Sequence, residues 1–577
     1  MTHTNTLLEQ FRQNRDERPD EPAFLIAAGD RSVPISWREF AADVEEIAWI
    51  VRHYAPGAVV GLLGENSYEW ITAHAACLFS GVCVIPVDIN LSAEETAARL
   101  KRVGAKTLGY SSLYEEKALK VHQLLPDLTL GGFGSFRSDE LLSRAREALA
   151  GGEKGVFELP PPDTEKTSMI MFTSGTTSEP RGVELTVGGI ECFCRNVHAR
   201  IPMRGGERSL MLLPVQHIFG ICAASAMLAA GVSLGVCPDY RRLYDAAERF
   251  RADFIFMVPA LADILAAKME RRRGFDGVDA LCVRWICTGG APMSPRTAER
   301  LSELGIKVLA AYGLTETTAL YSLSDFSKET EIGSAGEVCA LEEVETKVSG
   351  DGELMIRGPN VFIGYYREPE LTAAVKDADG WFRTGDIGRI DSGGRVWITG
   401  RASRTIVLSS GKKVAPEELE AKILMYPAVR EVVVRGDGEK REIIAEIYSE
   451  RPEGEVHGAI SSLNSSLPVY MRVKRVVCRN KPFPRTASGK IALPRSTRRK
   501  TRRNWPLIIC MSILLFAVAA SFQFWKIPHE MLPGDAPAPR WLRELMEKVE
   551  VWGKILLAGF AFVLALSAYR GTRRRRR

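Results

Sequence analysis

Three things are missing from this 577-residue sequence, and each absence excludes a class of protein. No G-x-x-x-x-G-K-[ST] motif occurs, which excludes a Walker-type phosphate loop. The eleven cysteines are scattered from Cys77 to Cys510 without an evenly spaced framework, so we expect reduced thiols in a cytosolic body rather than a disulfide-bonded secreted fold. The first thirty residues are charged and lack an apolar run, so we expect no secretory signal peptide.

The composition is that of a globular chain with a local excess of positive charge. The 46% of hydrophobic and 25% of charged residues are typical of a globular protein. Because 577 residues are too many for one hydrophobic core, we expect several domains. The net charge of +5 arises from twelve basic residues in the runs 495–503 and 570–577, without which the rest of the chain carries −7. Both runs flank apolar segments, which favours contact with a membrane surface over binding of nucleic acid.

Short apolar runs alternate with helical patterns near the amino terminus, for example at 59–63 and 81–87. Strand followed by helix, repeated, predicts an α/β fold with a mostly parallel sheet. Farther along, runs at 210–213, 254–259 and 283–292 each indicate a strand followed by a turn. Glycines at the ends of such strands allow a flat ligand to approach the backbone closely.

The most informative stretch begins after the apolar run 169–172, which predicts a buried strand ending in a loop. Residues 174–183 contain four hydroxyl side chains, two glycines and an arginine. Such a composition suits a phosphate, because backbone N–H groups and hydroxyls can surround its oxygens while the arginine neutralises charge. A polar surface loop is the alternative interpretation.

Seven further segments follow this loop: Thr288-Gly289-Gly290-Ala291-Pro292, Tyr312-Gly313-Leu314-Thr315-Glu316-Thr317, Gly352-Glu353-Leu354-Met355-Ile356-Arg357-Gly358, Gly364-Tyr365-Tyr366, Trp381-Phe382-Arg383-Thr384-Gly385-Asp386, Gly400-Arg401 and Pro484-Arg485-Thr486-Ala487-Ser488-Gly489-Lys490. Together they resemble the core motifs of the adenylate-forming superfamily, which contains the acyl-CoA synthetases, the adenylation domains of peptide synthetases and the luciferases. The resemblance covers roughly residues 7–495. One segment alone is weak evidence, but coincidence does not explain the whole set in the family's order.

The resemblance implies three parts of the chain. Residues 1–400 would form an amino-terminal AMP-binding domain with two αβ-layered subdomains and a small β-barrel-like subdomain. Residues 401–497 would form a small mobile α+β domain that rotates about a hinge after Gly400-Arg401. Residues 498–577 would form a membrane anchor.

The resemblance also implies roles for residues that hold ATP and Mg²⁺. The β and γ phosphates would lie against Thr173, Ser174, Gly175, Thr176, Thr177 and Arg181. Glu316 would bind Mg²⁺, and Thr315 would touch phosphate. The adenine would lie against Tyr312 in a slot completed by Gly289, Gly290 and Ala291, with Gly313 among the nucleotide-binding residues. Asp386, with Arg401 nearby, would accept hydrogen bonds from both ribose hydroxyls, because a carboxylate suits a vicinal diol.

The implied chemistry is attack by a carboxylate on the α-phosphate of ATP, which releases pyrophosphate and forms an acyl-adenylate. Lys490 would bridge the two anions, although a solvated lysine is the alternative interpretation. His217 would form a wall beside the acyl carboxylate, or else is a structural loop histidine. The thiol of coenzyme A would then attack, with Gly411 lining its channel and Lys412 and Lys413 meeting its phosphates.

Three residues depart from the family's pattern. Ser178 stands where a glycine is usual, and Arg181 replaces a lysine, which keeps the charge but changes the geometry. Ser403 stands at the hinge position where aspartate or lysine is usual. The first two departures affect the loop and the third affects domain rotation, while the charged residues needed for adenylation are present.

Two apolar stretches near the carboxyl terminus predict a membrane hairpin. Residues 505–525 contain no charge, begin and end with tryptophan and follow a basic run, as expected of a transmembrane helix. Residues 551–569 hold Lys554 near their start, and a buried core helix is the alternative for this stretch. Because basic runs lie before the first stretch and after the second, the positive-inside rule predicts catalytic domains in the cytoplasm.

The sequence therefore predicts a membrane-anchored acid–thiol ligase that passes a medium- or long-chain fatty acid from acyl-AMP to coenzyme A. One alternative acceptor is the phosphopantetheine arm of an acyl carrier protein. A second alternative is a non-catalytic scaffold that binds nucleotide or lipid. The alanine-rich stretch 220–231 either leaves room for a long acyl tail or packs against other helices.

Overall fold

The computed structural model describes residues 6–28, 31–54, 57–133, 139–173, 180–237, 239–276, 281–408, 412–437, 442–484 and 491. All of them belong to one compact unit, residues 1–493. The helices in chain order are α1 (Leu7–Glu17), α2 (Trp37–Tyr54), α3 (Tyr68–Phe79), α4 (Ala93–Val103), α5 (Glu115–Leu124), α6 (Asp139–Ala150), α7 (Val187–Arg200), α8 (Ile218–Ala229), α9 (Leu243–Phe250), α10 (Pro259–Asp276), α11 (Pro295–Glu303), α12 (Pro369–Ala373), α13 (Pro416–Leu424) and α14 (Glu453–Ser466).

The strands alternate with these helices along most of the chain. They are β1 (Pro22–Ala28), β2 (Arg31–Ser36), β3 (Val59–Leu63), β4 (Cys83–Val87), β5 (Thr107–Tyr110), β6 (Thr129–Gly132), β7 (Thr167–Thr173), β8 (Arg181–Thr186), β9 (Arg208–Met211), β10 (Ser233–Val236), β11 (Phe254–Met257), β12 (Trp285–Thr288), β13 (Lys307–Tyr312), β14 (Ser322–Leu323), β15 (Glu337–Val338), β16 (Glu345–Val348), β17 (Glu353–Arg357), β18 (Phe382–Ile390), β19 (Val396–Arg401), β20 (Ile406–Val407), β21 (Lys413–Val414), β22 (Glu431–Gly436), β23 (Ile443–Tyr448) and β24 (Arg475–Arg479).

Two large sheets form the amino-terminal body. One has nine strands in the order β15-β14-β13-β12-β11-β9-β10-β1-β2, and the other has six in the order β6-β5-β3-β4-β7-β8. The inner pairs of both sheets are parallel, for example β11 with β12 and β3 with β4. All four residues of β11 are buried, as expected for a parallel strand covered on both faces. The predicted α/β fold with mostly parallel sheets is confirmed.

A third, smaller sheet follows the two large ones. Its four antiparallel strands lie in the order β16-β17-β18-β19. Within the described residues this order leaves β16 and β19 as two edges, so the subdomain predicted as barrel-like is an open sheet. Three of the four residues of the edge strand β16 are exposed, and they include the charged Glu345 and Lys347. Charged side chains on an edge strand disfavour further pairing.

The part of the chain after Arg401 has a hydrophobic core of its own. Strands β22, β23 and β24 form a three-stranded sheet, and β20 pairs with β21. Buried residues between 406 and 473 form one cluster, to which α13 contributes Leu419 and Ile423 and α14 contributes Val456 and Ile460. A separate core is the property expected of a domain that can move as a unit.

Helix α8 is buried on nearly every side and lies at the centre of the amino-terminal body. Every residue in it except Phe219 is buried. A Cβ atom on Gly220 would lie 2.3 Å from the carbonyl oxygen of Pro214, so this position requires glycine. A cavity of about 10 Å³ lies among α1, α3 and α8, which is room for about one water molecule. The small residues of α8 therefore serve helix packing there, and this cavity offers no space for an acyl tail.

Among the residues that the structure describes, no helix combines the length and the apolar character that crossing a bilayer requires. The two stretches predicted to span, 505–525 and 551–569, lie outside the described residues.

Candidate active site

The first group of predicted site residues comes together where the nine-stranded sheet meets the four-stranded sheet. Strand pairing sets Asp386 of β18 opposite Arg401 of β19. The Arg401 Nε atom lies 2.6 Å from Asp386 Oδ1, and the Tyr312 hydroxyl donates a hydrogen bond of 2.6 Å to Asp386 Oδ2. We call Tyr312, Asp386 and Arg401 the Asp386 cluster. Asp386 is only 2% exposed. Its ion pair and hydrogen bond offset the cost of burying the charged carboxylate.

The electrostatics of the Asp386 cluster keep Tyr312 neutral. Burial, followed by the charge of Asp386 and the hydrogen bond to it, raises the pKa of the Tyr312 hydroxyl well above its ordinary value. The hydroxyl therefore keeps its proton and stays a hydrogen-bond donor at neutral pH. The Arg401 side chain is 43% exposed, so one side of the ion pair faces solvent.

A tight turn before Asp386 fixes the direction of its side chain. Gly385 has a φ of +74°, in the left-handed region that favours glycine, and its N–H donates to Glu353 Oε1 at 2.7 Å. The Thr384 hydroxyl donates to the carbonyl of Leu354 at 2.8 Å and accepts from the Asp386 N–H at 3.1 Å. These bonds join the turn to the neighbouring strand β17.

A second group gathers around the short turn that carries Glu316. The Tyr365 hydroxyl donates to Glu316 Oε1 at 3.0 Å. The guanidinium carbon of Arg181 lies 5.3 Å from the centre of the Tyr365 ring, within the range of a cation–π contact. We call Arg181, Glu316 and Tyr365 the Glu316 cluster. Only three residues separate Tyr312 from Glu316 along the chain, so the two clusters are neighbours.

Backbone pairing across a long sequence distance builds the Glu316 cluster. The N–H of Glu184 donates to the carbonyl of Gly364 at 3.0 Å, and the N–H of Tyr366 donates to the carbonyl of Gly182 at 2.8 Å. This pairing sets Tyr365 opposite Val183 and close to Arg181 at the start of β8. Burial first, and then the charge of Glu316, raises the pKa of the Tyr365 hydroxyl, so this hydroxyl is also a neutral donor.

The turn that carries Glu316 has a strained backbone, and hydrogen bonds to Asn360 stabilise it. Thr318 and Ala319 have φ values of +48° and +60°, which L-residues seldom adopt. The fully buried Asn360 side chain donates to the carbonyls of Thr317 at 3.2 Å and Leu320 at 2.8 Å. Its backbone carbonyl accepts the Thr318 hydroxyl at 2.8 Å. Strain of this kind persists only where the surroundings fix it, as Asn360 does here.

The predicted adenine slot lies at the carboxyl ends of two neighbouring parallel strands. Gly289 and Gly290 follow β12, Gly313 follows β13, and these strands pair in register. A Cβ atom on Gly313 would lie 2.2 Å from the carbonyl carbon of Ala319, so a side chain cannot fit there. Gly289 is buried, whereas Gly290 and Ala291 are exposed, so the slot is open on one side. Such crevices at strand ends are where α/β sheets bind ligands.

His217 is half-buried and directly precedes helix α8. The loop before it is held by Asn66, whose side chain donates to the carbonyl of Leu213 at 3.0 Å and accepts from the N–H of Val215 at 3.0 Å. The Gln216 side chain donates to the carbonyl of Gly64 at 2.7 Å. The role of His217 as a pocket wall stays a prediction.

Part of the predicted site lies outside the described residues. Thr173 ends β7 and pairs with Arg181 across the hairpin, but residues 174–179 lie outside, and these include Ser174, Gly175, Thr176 and Thr177. Gly411 and Lys490 also lie outside. Thr315 is half-buried in the turn beside Glu316.

Three residues that the sequence did not single out support the two clusters. Tyr365 joins Arg181 to Glu316, Asn360 holds the Glu316 turn, and Thr384 holds the Asp386 turn. Tyr365 and Thr384 lie inside segments that carry the family resemblance, and Asn360 follows another such segment by two residues. Their positions were visible in the sequence, but their contacts depend on pairings between distant segments.

Comparison with known proteins places the chain among adenylate-handling enzymes. A family profile described as AMP-binding enzyme matches residues 11–366, and one described as AMP-binding enzyme C-terminal domain matches residues 403–500. An indoleacetate–CoA ligase of Aromatoleum aromaticum is 28% identical over 79% of this chain and 91% of its own length. A long-chain-fatty-acid–CoA ligase of Mycobacterium tuberculosis is 29% identical over 76% of this chain and 87% of its own length.

A solved structure shares the fold. The O-succinylbenzoate coenzyme A synthetase of Bacillus subtilis, solved in complex with AMP, has a TM-score of 0.69 and 24% sequence identity. The match covers 84% of this chain and 96% of that protein. At this level of identity the likeness establishes the fold.

Proposed function

The chain belongs to the AMP-binding enzyme family and joins an acid to coenzyme A with ATP and Mg²⁺, and we propose that the acid is a fatty acid of medium or long chain. The acid carboxylate attacks the α-phosphate of ATP, pyrophosphate leaves, and acyl-AMP forms. The thiol of coenzyme A then attacks the acyl carbon, and AMP leaves. Relatives that include long-chain-fatty-acid–CoA ligases support this choice of acid.

The observation that carries the proposal is the adjacency of the two clusters. Each offers what one part of a bound ATP needs, and only residues 313–315 lie between Tyr312 of one cluster and Glu316 of the other. In the Asp386 cluster, a carboxylate can accept about four hydrogen bonds, so the ribose hydroxyls can share Asp386 with Tyr312 and Arg401. The open glycine slot beside Tyr312 takes the adenine.

The Glu316 cluster fits Mg²⁺ and the phosphates. Mg²⁺ in nucleotide sites is held by one or two carboxylates together with substrate phosphates, and Glu316 is a carboxylate whose described side-chain partner is a neutral hydroxyl. When bound, Mg²⁺ supplies positive charge that neutralises the triphosphate. Arg181 adds a second positive charge at the start of β8, opposite Thr173 at the end of β7.

Lys490 supplies the remaining cation in this proposal. Two anions must meet during adenylation, so a positive charge at the point of attack lowers the barrier. Rotation of residues 401–497 brings Lys490 to the α-phosphate and later removes it, which exposes the adenylate to the thiol. Gly411 lines the path of the thiol, and Lys412 and Lys413 meet the phosphates of coenzyme A.

An ATP–pyrophosphate exchange screen over carboxylic acids of graded length tests the choice of acid. Exchange that is strongest with medium or long saturated acids and weak with aromatic acids is the expected result. Strongest exchange with an aromatic acid would keep the ligase assignment and overturn the fatty-acid proposal. Absence of exchange with every acid, with ATP bound, would favour the non-catalytic scaffold.

The Lys490→Ala variant tests the assigned catalytic lysine. We expect acyl-AMP formation to fall by about 10²–10³-fold, the loss typical of one preorganised electrostatic group. Transfer from a supplied acyl-AMP to coenzyme A should stay near the wild-type rate, because Lys490 then lies away from the site. Equal loss of both half-reactions would contradict this role.

The acceptor is tested by thioester assays with coenzyme A and with a phosphopantetheinylated acyl carrier protein. The proposal expects acyl-CoA as the product. Faster transfer to the carrier protein would replace coenzyme A as the physiological acceptor and leave the adenylation half-reaction intact.

We further propose that residues 498–577 anchor the enzyme to a membrane, with residues 1–497 in the cytoplasm. The uncharged stretch 505–525 and its flanking basic runs support this proposal. The full chain should sediment with membranes and resist extraction by alkaline carbonate, whereas a chain ending at residue 497 should stay in the supernatant. Recovery of the full chain in the supernatant would overturn the anchor.

A further inference from the structure

A third group of reactive side chains lies in the carboxyl-terminal domain, apart from both clusters. Glu453 and His457 belong to helix α14, and Cys478 belongs to strand β24. One ligand atom from each of the three lies within 4.8 Å of the other two. Residues four apart on a helix share a face, and α14 packs beside β24, so the fold itself brings a carboxylate, an imidazole and a thiol together.

The three side chains are accessible. Glu453 and His457 are exposed, and Cys478 is half-buried at the margin of the domain core. Within the part of the chain that the structure describes, none of the three side chains makes a hydrogen bond or an ion pair with another residue. Seven of the ten described cysteines are buried, and Cys282 is the exposed one. Cys478 thus differs from the others in having both an imidazole and a carboxylate beside a reachable thiol.

We propose that Glu453, His457 and Cys478 bind one Zn²⁺ ion. Zn²⁺ is held at about 2.0–2.3 Å by thiolate, imidazole and carboxylate ligands in a tetrahedral arrangement, so ligand atoms around one ion lie roughly 3.3–3.6 Å apart. The three ligand atoms lie within 4.8 Å of one another, and rotation of the exposed Glu453 and His457 side chains would bring them about 1 Å closer, to the tetrahedral separation. The thiol proton leaves to solvent when the ion binds, and water occupies the fourth tetrahedral position.

The chemistry of these ligands selects the ion. A thiolate and an imidazole suit Zn²⁺, whereas Mg²⁺ prefers carboxylates, phosphates and water. The site is therefore distinct from the Mg²⁺ site at Glu316. A bound ion would link α14 to β24 and so stabilise the domain that contains Lys490, twelve residues after Cys478.

Zinc affinity of the purified full chain, measured by competition with a chromophoric chelator, tests the proposal. Removal of a hydrogen-bond partner of a metal ligand already costs about 10- to 100-fold in affinity, so Cys478→Ser and His457→Gln should each weaken binding by at least about tenfold. The matched control is Cys282→Ser, which removes an exposed thiol elsewhere and should bind zinc like the wild type. Mg²⁺ in large excess should not displace the ion.

Two further measurements keep the result interpretable. Co²⁺ bound at this site should give a thiolate-to-metal charge-transfer absorption that disappears in Cys478→Ser and persists in Cys282→Ser. ATP–pyrophosphate exchange by Cys478→Ser should equal that of the wild type, which shows that the variant is folded. Equal zinc affinity in the wild type, Cys478→Ser and His457→Gln would overturn the proposal.

Discussion

The Asp386 cluster and the Glu316 cluster contain the same three kinds of side chain in a different order. In the Asp386 cluster the carboxylate is central, and it accepts both the tyrosine hydroxyl and the arginine directly, each at 2.6 Å. In the Glu316 cluster the tyrosine is central, with the arginine over its ring and the carboxylate at its hydroxyl. Which side chain is central determines whether the arginine contacts the carboxylate directly, and so how much of the carboxylate's charge the protein neutralises.

This difference matches the ligands that the two clusters are proposed to hold. Asp386 is buried and paired with Arg401, which suits the proposed role of a fixed acceptor for uncharged hydroxyls. Glu316 is half-buried and bonded to a neutral group, so its charge is left to attract a cation. On this proposal, the same residue types build a sugar site in one place and a metal site in the other.

The largest expected effect comes from neutralising the two carboxylates separately. Asp386→Asn and Glu316→Gln should each lower kcat/KM for ATP by about 10²–10³-fold, the range for loss of a preorganised electrostatic group. Only Asp386→Asn should also lower the free energy of unfolding, by about 1–3 kcal/mol, because it breaks a buried charged hydrogen-bond network. Urea denaturation of both variants checks the difference.

Glu316→Gln is the matched control, since a glutamine oxygen can still accept from Tyr365. Its free energy of unfolding should stay within about 0.5 kcal/mol of the wild type. Equal destabilisation by the two substitutions would contradict the contrast between the clusters.

The second prediction separates the two tyrosines. Tyr365→Phe removes the hydroxyl that orients Glu316, so the Mg²⁺ concentration for half-maximal rate should rise by about tenfold, as for other partners of metal ligands. Tyr312→Phe should raise KM for ATP and leave the Mg²⁺ dependence unchanged. Mg²⁺ titrations of exchange activity measure both, and a shift in Tyr312→Phe as large as that in Tyr365→Phe would show that the clusters are not independent.

A smaller effect is expected from Arg181→Lys. The charge is kept, but the planar contact with the Tyr365 ring is lost, and such contacts contribute about 0.5–1 kcal/mol at accessible sites. KM for ATP should therefore rise by only about two- to fivefold. Arg181→Ala, which removes the charge too, should have a clearly larger effect. Identical kinetics in the two variants would mean that geometry and not charge is what Arg181 supplies.

The smallest expected effect is on the pH dependence of stability, and it is the same for both clusters. Both tyrosine hydroxyls have a pKa raised above the unfolded value of about 10. Their stabilisation is complete below pH 10 and is lost as the pH rises through the folded-state pKa values, because the unfolded chain ionises first. Tyr312→Phe and Tyr365→Phe should each make the loss of stability above pH 10 less steep. An unchanged slope in both variants would contradict these pKa directions.

The fold was predictable where local patterns decide it. The apolar run 59–63 coincides with β3, and β11 covers the first four residues of the segment 254–259, which was predicted as a strand followed by a turn. The strand predicted at 210–213 starts two residues too late, because β9 begins at Arg208. Ser209 of that strand pairs with both β10 and β11. This backbone pairing cannot be predicted from hydrophobicity, because Ser209 is polar.

The site was predictable in its types of residue and in the proximity of Arg401 to Asp386, but not in its other contacts. Asp386, Arg401 and Glu316 lie in motifs that resemble a family, so roles could be predicted for them, and those roles stay predictions. The place of Tyr365 between Arg181 and Glu316 could not, because it depends on pairing of residues 182–184 with 364–366. The same holds for Cys478 and His457, which a helix and a strand bring together.

The central claim is that the two clusters hold the two ends of one ATP molecule. Its most direct test is exchange activity of the wild type, Asp386→Asn and Glu316→Gln with ATP and 3′-deoxy-ATP, each titrated with Mg²⁺. The account predicts that Asp386→Asn loses the preference for ATP over 3′-deoxy-ATP and keeps the wild-type Mg²⁺ dependence, and that Glu316→Gln does the reverse. The account would be contradicted if both variants lost the preference for ATP and the wild-type Mg²⁺ dependence together. It would also be contradicted if both variants kept both properties.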